Sequence, residues 1–258
     1  MPNANHWTYE QTLIALRVYL DTRYGRLNLS NHRLAEIGKM IGRSHSAVVM
    51  KCCNFASMDP FHAARGVKGL PNAGGVQEKL WDEFQADSDA VAEKMEAEWE
   101  KLTQTHSITP TTFEDVVSIP DGPSEVERTV RTRRLQRAFR IAVLVGYDGR
   151  CALTGLSIPA LLNASHIIPW SKSEGKRADP RNGLCLNALH DRAFDRGLLS
   201  FDEDFRVMIA PGLNDDECLG KLAKHLKGIE GKPLAMPERF GPLPEAMAYH
   251  RENIFQSA

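Results

Sequence analysis

The chain has 258 residues, a mass of 28.8 kDa, 42% apolar and 25% charged residues, a composition that excludes a fibrous or wholly disordered protein and leaves room for one large domain or two ordinary ones. Its formal net charge of -1 hides an asymmetry: residues 1–68 hold nine Lys or Arg against four Asp or Glu, residues 78–101 are mostly acidic, and residues 128–140 contain six arginines. Two separate basic blocks point to a polyanionic partner more than the total does.

From the N-terminus, Tyr9, Leu13, Leu16 and Leu20 recur at helical steps, with Thr8 available as a cap. Ser30 or Asn31 can cap a second helix carrying Leu34, Ile37, Met40 and Ile41, which Gly42 ends. Ser44 then caps a third, on which Val48, Cys52 and Phe55 share a face until Asp59 and Pro60 stop it. Helix, short turn, helix is the shape of a helix-turn-helix, in which the second helix offers its first polar residues to the major groove. Arg43, His45, Ser46 and Lys51 are the DNA-contact candidates of this 1–68 module; the alternative is three packed helices with ordinary solvated charges.

Residues 66–77 are Gly-rich and read as a loop. Between Glu78 and Leu102 the apolar residues Leu80, Trp81, Phe84, Val91, Met95 and Trp99 sit among acids, which predicts one or two surface helices and a poor DNA face. The three prolines of residues 103–124 place a domain boundary there, so that 69–123 is a linker with acidic helices and 124–258 a second domain. Ser124 and Glu127 have capping-box spacing and open a helix reaching Tyr147. Arg128, Arg131, Arg134 and Arg137 share one side of it, either tracking phosphates or bridging to the acidic helix upstream.

Beyond a turn at 147–150, Ile167 and Ile168 favour a strand that Pro169 ends, residues 171–181 form a polar loop, Gly183–Leu186 is a second short strand, and Leu189–Asp195 is a short helix turned by Gly197. A hairpin follows from Leu198 to Ile209, then a helix opened near Asn214, and a proline-rich tail that wraps over the domain before a short terminal helix. His225 and His250 read as structural or surface groups. The odd set Cys52, Cys53, Cys151, Cys185 and Cys218 contains no Cys-x-x-Cys pair and fits reduced thiols. With no leader pattern and no apolar run near the ~20 residues of a membrane span, the expectation is a soluble cytoplasmic protein with no membrane partner.

Several linked motifs between residues 128 and 210 resemble the HNH endonuclease family: Gln136-x-x-Phe139-Arg140, Tyr147-x-x-x-Cys151-x-x-Thr154-Gly155, Ser165-His166-Ile167-x-Pro169, Asn182-Gly183-Leu184-Cys185-Leu186 and His190-x-x-x-Phe194-Asp195-x-Gly197. The resemblance is to the branch found in prokaryotic restriction-type endonucleases. It implies a C-terminal ββα-metal nuclease domain with catalytic His166, Asn182 and His190, which together with the mainly helical N-terminal module and its helix-turn-helix-like unit makes an α+β chain. Phosphodiester hydrolysis needs an activated water and a cation on the phosphate. His166, whose imidazole titrates near neutrality, is the expected general base. His190 is the expected ligand of one divalent metal ion, with Mg²⁺, Mn²⁺, Ni²⁺ and Zn²⁺ all open, and Asn182 the strut that pins the loop behind His166.

Many members carry Asp or His before the catalytic His, where this chain has Ser165, a weak ligand that needs a bridging water; Asp195 or Asp191 can supplement it. Cys151 meets Thr154, and Cys185 meets Ala188, where some members have paired zinc cysteines, so no structural zinc is expected. Arg181 and Arg192 are further phosphate contacts. The partner implied is double-stranded DNA, and cutting both strands with one active site per chain is simplest for a homodimer; a non-catalytic DNA-binding protein with a degenerate HNH fold is the alternative.

Overall fold

The computed structural model describes residues 6–67, 75–106, 126–213 and 220–257. The Ser124 cap, the boundary beyond His106, the helix start near Asn214 and Cys218 lie outside the described residues. Those residues form an α+β chain with two small two-stranded sheets. No helix among them is long and apolar enough to cross a membrane.

Helix α1 (Tyr9–Asp21) starts from a capping box in which the Thr8 side chain accepts the Gln11 N–H and the Gln11 side chain returns to the Thr8 N–H. Helix α2 (His32–Met40) ends in a turn where the Arg43 N–H donates to the Gly38 carbonyl at 2.7 Å. The turn needs Gly42 at φ +67, a left-handed conformation that costs glycine little. The Ser44 side chain then caps α3 (His45–Met58). Asp59 ends that helix and at once caps α4 (Pro60–Ala64) by accepting the Phe61 N–H at 3.0 Å.

Helices α5 (Gly75–Ala86) and α6 (Ser88–His106) correct one expectation, because they are core and not surface. Leu80, Trp81, Phe84, Val91, Met95 and Trp99 are all buried in one cluster with the apolar faces of α1, α2 and α3. Even Glu96 is fully buried, paired with the equally buried Arg17, which also bonds Asp21 at 2.7 Å. Paired charges satisfy each other in an interior that would reject them singly.

Helix α7 (Val126–Gly146) is shared by two cores. Leu135, Ala138 and Ala142 join the helical cluster, while Phe139, Val143 and Leu144 face the second. That second core holds β1 (Leu162–His166) antiparallel to β2 (Gly183–Asn187), helix α8 (Ala188–Asp195), the hairpin of β3 (Leu199–Phe201) and β4 (Val207–Ile209), and part of α9 (Gly220–Lys227) and α10 (Pro244–Asn253). Strand β1 stops before the two isoleucines expected in it. The pairing ends at His166 opposite Gly183, and beyond it the Ile168 N–H is taken by the Asn182 side chain, so Ile167 is buried outside the ladder.

The C-terminal tail ties the two cores together. Arg239, 1% exposed, donates to the carbonyls of Tyr19, Leu20 and Thr22 at the end of α1, and the Phe240 N–H reaches Asp59 Oδ2 at 3.0 Å. Phe240 belongs to the helical core although it lies 181 residues from Asp59 in sequence.

Within the second core, His250 is buried, stacked on Phe194 at 3.7 Å, with Nδ1 bonded to the Ser200 hydroxyl at 2.9 Å and Nε2 donating to the Phe194 carbonyl at 3.1 Å. Burial lowers its pKa to about 4, partly offset by the Phe194 bond. A histidine held neutral in the fold takes up its proton first in the unfolded chain, so its contribution to stability is intact above the ordinary pKa and is lost as pH falls toward the folded value. Moving from pH 7.5 to 5 is expected to cost roughly 2 kcal/mol through this residue. Urea unfolding of wild type and His250→Gln at both pH values checks this: the variant is to lose less stability on acidification, and equal losses would refute it.

Candidate active site

His166 closes β1 with its ring against α7. It lies parallel to Phe139, centroids 3.7 Å apart and planes 15° apart, and meets Trp170 edge-on at 5.6 Å. The close stack depends on Gly183 opposite: a Cβ there would come within 2.5 Å of Val143 Cγ2 and 2.8 Å of Phe139 Cζ. His166 Nε2 is 2.8 Å from the Arg177 carbonyl oxygen. A carbonyl only accepts, so Nε2 carries the proton and Nδ1 of the neutral ring keeps its lone pair. Burial lowers the His166 pKa, against the opposing effects of the Arg177 carbonyl and the Asp191 charge. The ring is thereby held as a neutral base near neutrality.

Asn182 forms a two-point clamp on the chain just past His166: Oδ1 accepts the Ile168 N–H at 2.8 Å and Nδ2 donates to the Ile168 carbonyl at 3.1 Å. Its own carbonyl accepts the Ile167 N–H at 2.9 Å. Asn182→Ala removes both side-chain bonds, leaves two part-buried backbone groups to water, and is expected to cost about 2 kcal/mol of stability. Urea unfolding of wild type and Asn182→Ala checks this, and a loss below about 0.5 kcal/mol would contradict the clamp.

Helix α8 begins where the Asn187 side chain accepts the His190 N–H at 3.0 Å. His190 is fully buried, its Nδ1 3.8 Å from Cys151 Sγ and its ring parallel to His225 at 5.5 Å. Burial pushes the Cys151 thiol up, but bonds from His190, Thr154 and the N–H groups of Leu153 and Asn187 outweigh it and bring the pKa to about 6; burial and the neighbouring Cys151 push Cys185 up to about 12. Facing β1, Asp191 accepts Asn163 Nδ2 at 2.6 Å, and Asp195 has its pKa raised by burial and by the Asp191 charge.

Among the described residues no group of three or more His, Cys, Asp or Glu is placed to hold a metal ion. The donor chemistry nevertheless fits a cation with few protein ligands. Ser165 Oγ and His190 Nε2 are buried without a hydrogen-bond partner, and the Asp191 and Asp195 carboxylates crowd each other one helical turn apart. A hard cation such as Mg²⁺ completes its shell from water and substrate phosphate when one or two carboxylates hold it.

Several of the expected DNA-contact side chains have protein partners. Arg43 bonds Gln11 Oε1 at 2.8 Å and lies over the Trp7 ring, and Lys51, largely buried, has its Nζ 5.0 Å from the same ring. Of the other turn residues, Ser46 is exposed and shares a bond with Ser44, and His45 is half-buried. On α7, Arg134 pairs with Glu100 at 2.6 Å, Arg131 with Glu93 at 2.9 Å and Arg137 with Glu96 at 3.8 Å, which is the bridge to the acidic helix that the sequence left open. Arg181 pairs with Asp179 at 2.7 Å, and Arg192 is exposed on α8.

Sequence reasoning missed the Arg177 carbonyl, which no side-chain pattern encodes, and the Trp170 edge. Phe139 carried a signal, its place in the Gln136-x-x-Phe139-Arg140 motif. Arg140 from the same motif donates to the Leu162 carbonyl at 2.8 Å and anchors β1 on α7.

Residues 151–202 match the HNH_2 family model, described as HNH endonuclease. No curated protein matches the chain. The matched segment contains His166, Asn182 and His190 and begins at Cys151, the thiol beside His190.

Proposed function

We propose, taking the HNH endonuclease match of residues 151–202 as premise, that the chain is a metal-dependent endonuclease that hydrolyses phosphodiester bonds of double-stranded DNA. The observation that carries this reading is His166, whose Nε2 is tied to a carbonyl and whose ring is wedged on Phe139, so that Nδ1 is the nitrogen able to take a proton from an attacking water. Asn182 fixes the chain behind it. His190 and Asp195, with Ser165 acting through water, would hold a divalent cation, which would supply charge neutralisation at the scissile phosphate. The restriction-type resemblance extends the reading to foreign or modified duplexes, and cutting both strands is simplest for a homodimer.

Purified protein incubated with plasmid and Mg²⁺, Mn²⁺ or Ni²⁺, on substrates of several methylation states, is expected to nick or linearise at least one of them, and EDTA to abolish the cutting. Plasmids left intact under every metal and methylation state would sink the enzyme reading and favour a DNA-binding protein with an inactive HNH fold.

A further inference from the structure

A cavity of about 1060 Å³ lies between the helical unit and the turn that leads into β1. Arg23, Arg26 and Arg65 line it from the helical side and Arg150 from the other, and all four are exposed. The acids facing them are Asp148 and Glu238. Asp148 is shared, with Oδ1 2.7 Å from Arg23 Nε and Oδ2 3.6 Å from Arg150 Nε. Arg65 donates to the Glu238 carbonyl at 2.6 Å, and the Glu238 carboxylate accepts the Tyr24 N–H. The Arg26 guanidinium has no acidic partner among the described residues. Four guanidinium groups therefore meet two carboxylates, in a chain whose net charge is -1.

We infer that this cleft seats the sugar–phosphate backbone of the duplex beside the scissile bond, an inference that rests on the endonuclease reading. Guanidinium groups bind phosphates through paired N–H donors, and phosphate contacts set the register of a protein on DNA. The cleft adjoins the catalytic unit, because Cys151 lines it and places its Sγ 3.8 Å from His190 Nδ1. A mononucleotide would satisfy two or three of these cations, whereas a continuous strand engages arginines on both walls. Arg43 and Lys51 lie over the Trp7 ring, and on this reading the helical unit grips DNA through Arg23, Arg26 and Arg65.

The test is binding of a labelled duplex to the full chain in EDTA, followed by fluorescence anisotropy across a salt series. Removing one cation that neutralises a phosphate is expected to flatten the slope of log K against log salt by about 1. Arg26→Ala should flatten it by that amount and Arg26→Ala with Arg150→Ala by about twice as much, while Arg26→Lys retains the wild-type slope. Lys79→Ala, which removes an exposed cation on α5, should leave it unchanged. Wild-type slopes in both Arg26→Ala proteins, or an equal flattening by Lys79→Ala, would overturn the assignment. A wild type that cuts plasmid while its cleft variants bind normally would remove this inference and leave the endonuclease reading standing; a wild type that neither binds nor cuts DNA would remove both.

Discussion

His166→Ala is expected to slow DNA cleavage by about 10²- to 10⁴-fold, the usual contribution of a positioned general base, while leaving duplex affinity close to wild type. The reason is geometric. The ring is oriented by three groups that do not depend on substrate: the Phe139 face at 3.7 Å, the Trp170 edge and the Arg177 carbonyl at 2.8 Å from Nε2. Alanine removes the proton acceptor and leaves the clamp of Asn182 on Ile168 in place. Single-turnover cleavage and anisotropy on the same protein separate the two effects. A variant whose affinity falls in proportion to its rate would mean that His166 binds DNA and does not act as the base.

The second large effect is on stability. Arg239→Ala is expected to destabilise the chain by about 3 kcal/mol or more, because it leaves three buried backbone carbonyls without their donor, at about 1–3 kcal/mol each. Arg239 supplies donors to the carbonyls of Tyr19, Leu20 and Thr22, groups left without intrahelical partners where α1 ends. Its positive charge also sits at the negative end of the helix, and its guanidinium lies over the Tyr19 ring at 4.6 Å. The shift in melting temperature should be on the order of 10 °C for a chain of this size. Because Phe240 beside it plugs the helical core, the loss should be felt on both sides of α7 in one transition. A change below about 1 kcal/mol would show that the tail lies on the fold without holding it.

Local signals in the sequence carried far. The Thr8 and Ser44 caps, the helix ends at Gly42 and Asp59, the hairpin from Leu198 to Ile209 and the short terminal helix all depend on residues within a few positions of each other, and the structure has them. Around His166 the order strand, loop, strand, helix was equally readable, though β1 ends at His166 because Asn182 takes the Ile168 N–H that would have continued it. What the sequence hid was set by distant partners. The acids of α6 look solvated until Arg17 and the α7 arginines are placed opposite them. Arg239 and Phe240 look like tail residues until α1 and Asp59 lie beneath them. Arg23, Arg26, Arg65 and Arg150 are spread over 128 positions, and only the fold brings them to one cleft.

Chemical rescue asks whether the His166 imidazole is the base itself. His166→Gly leaves a slot beside the Phe139 ring of the size of the missing imidazole. This variant, inactive on duplex DNA with divalent metal, is expected to regain cleavage as imidazole is added, with saturation and with cut sites identical to those of wild type. Cleavage by His166→Gly at the wild-type rate without imidazole would contradict that role.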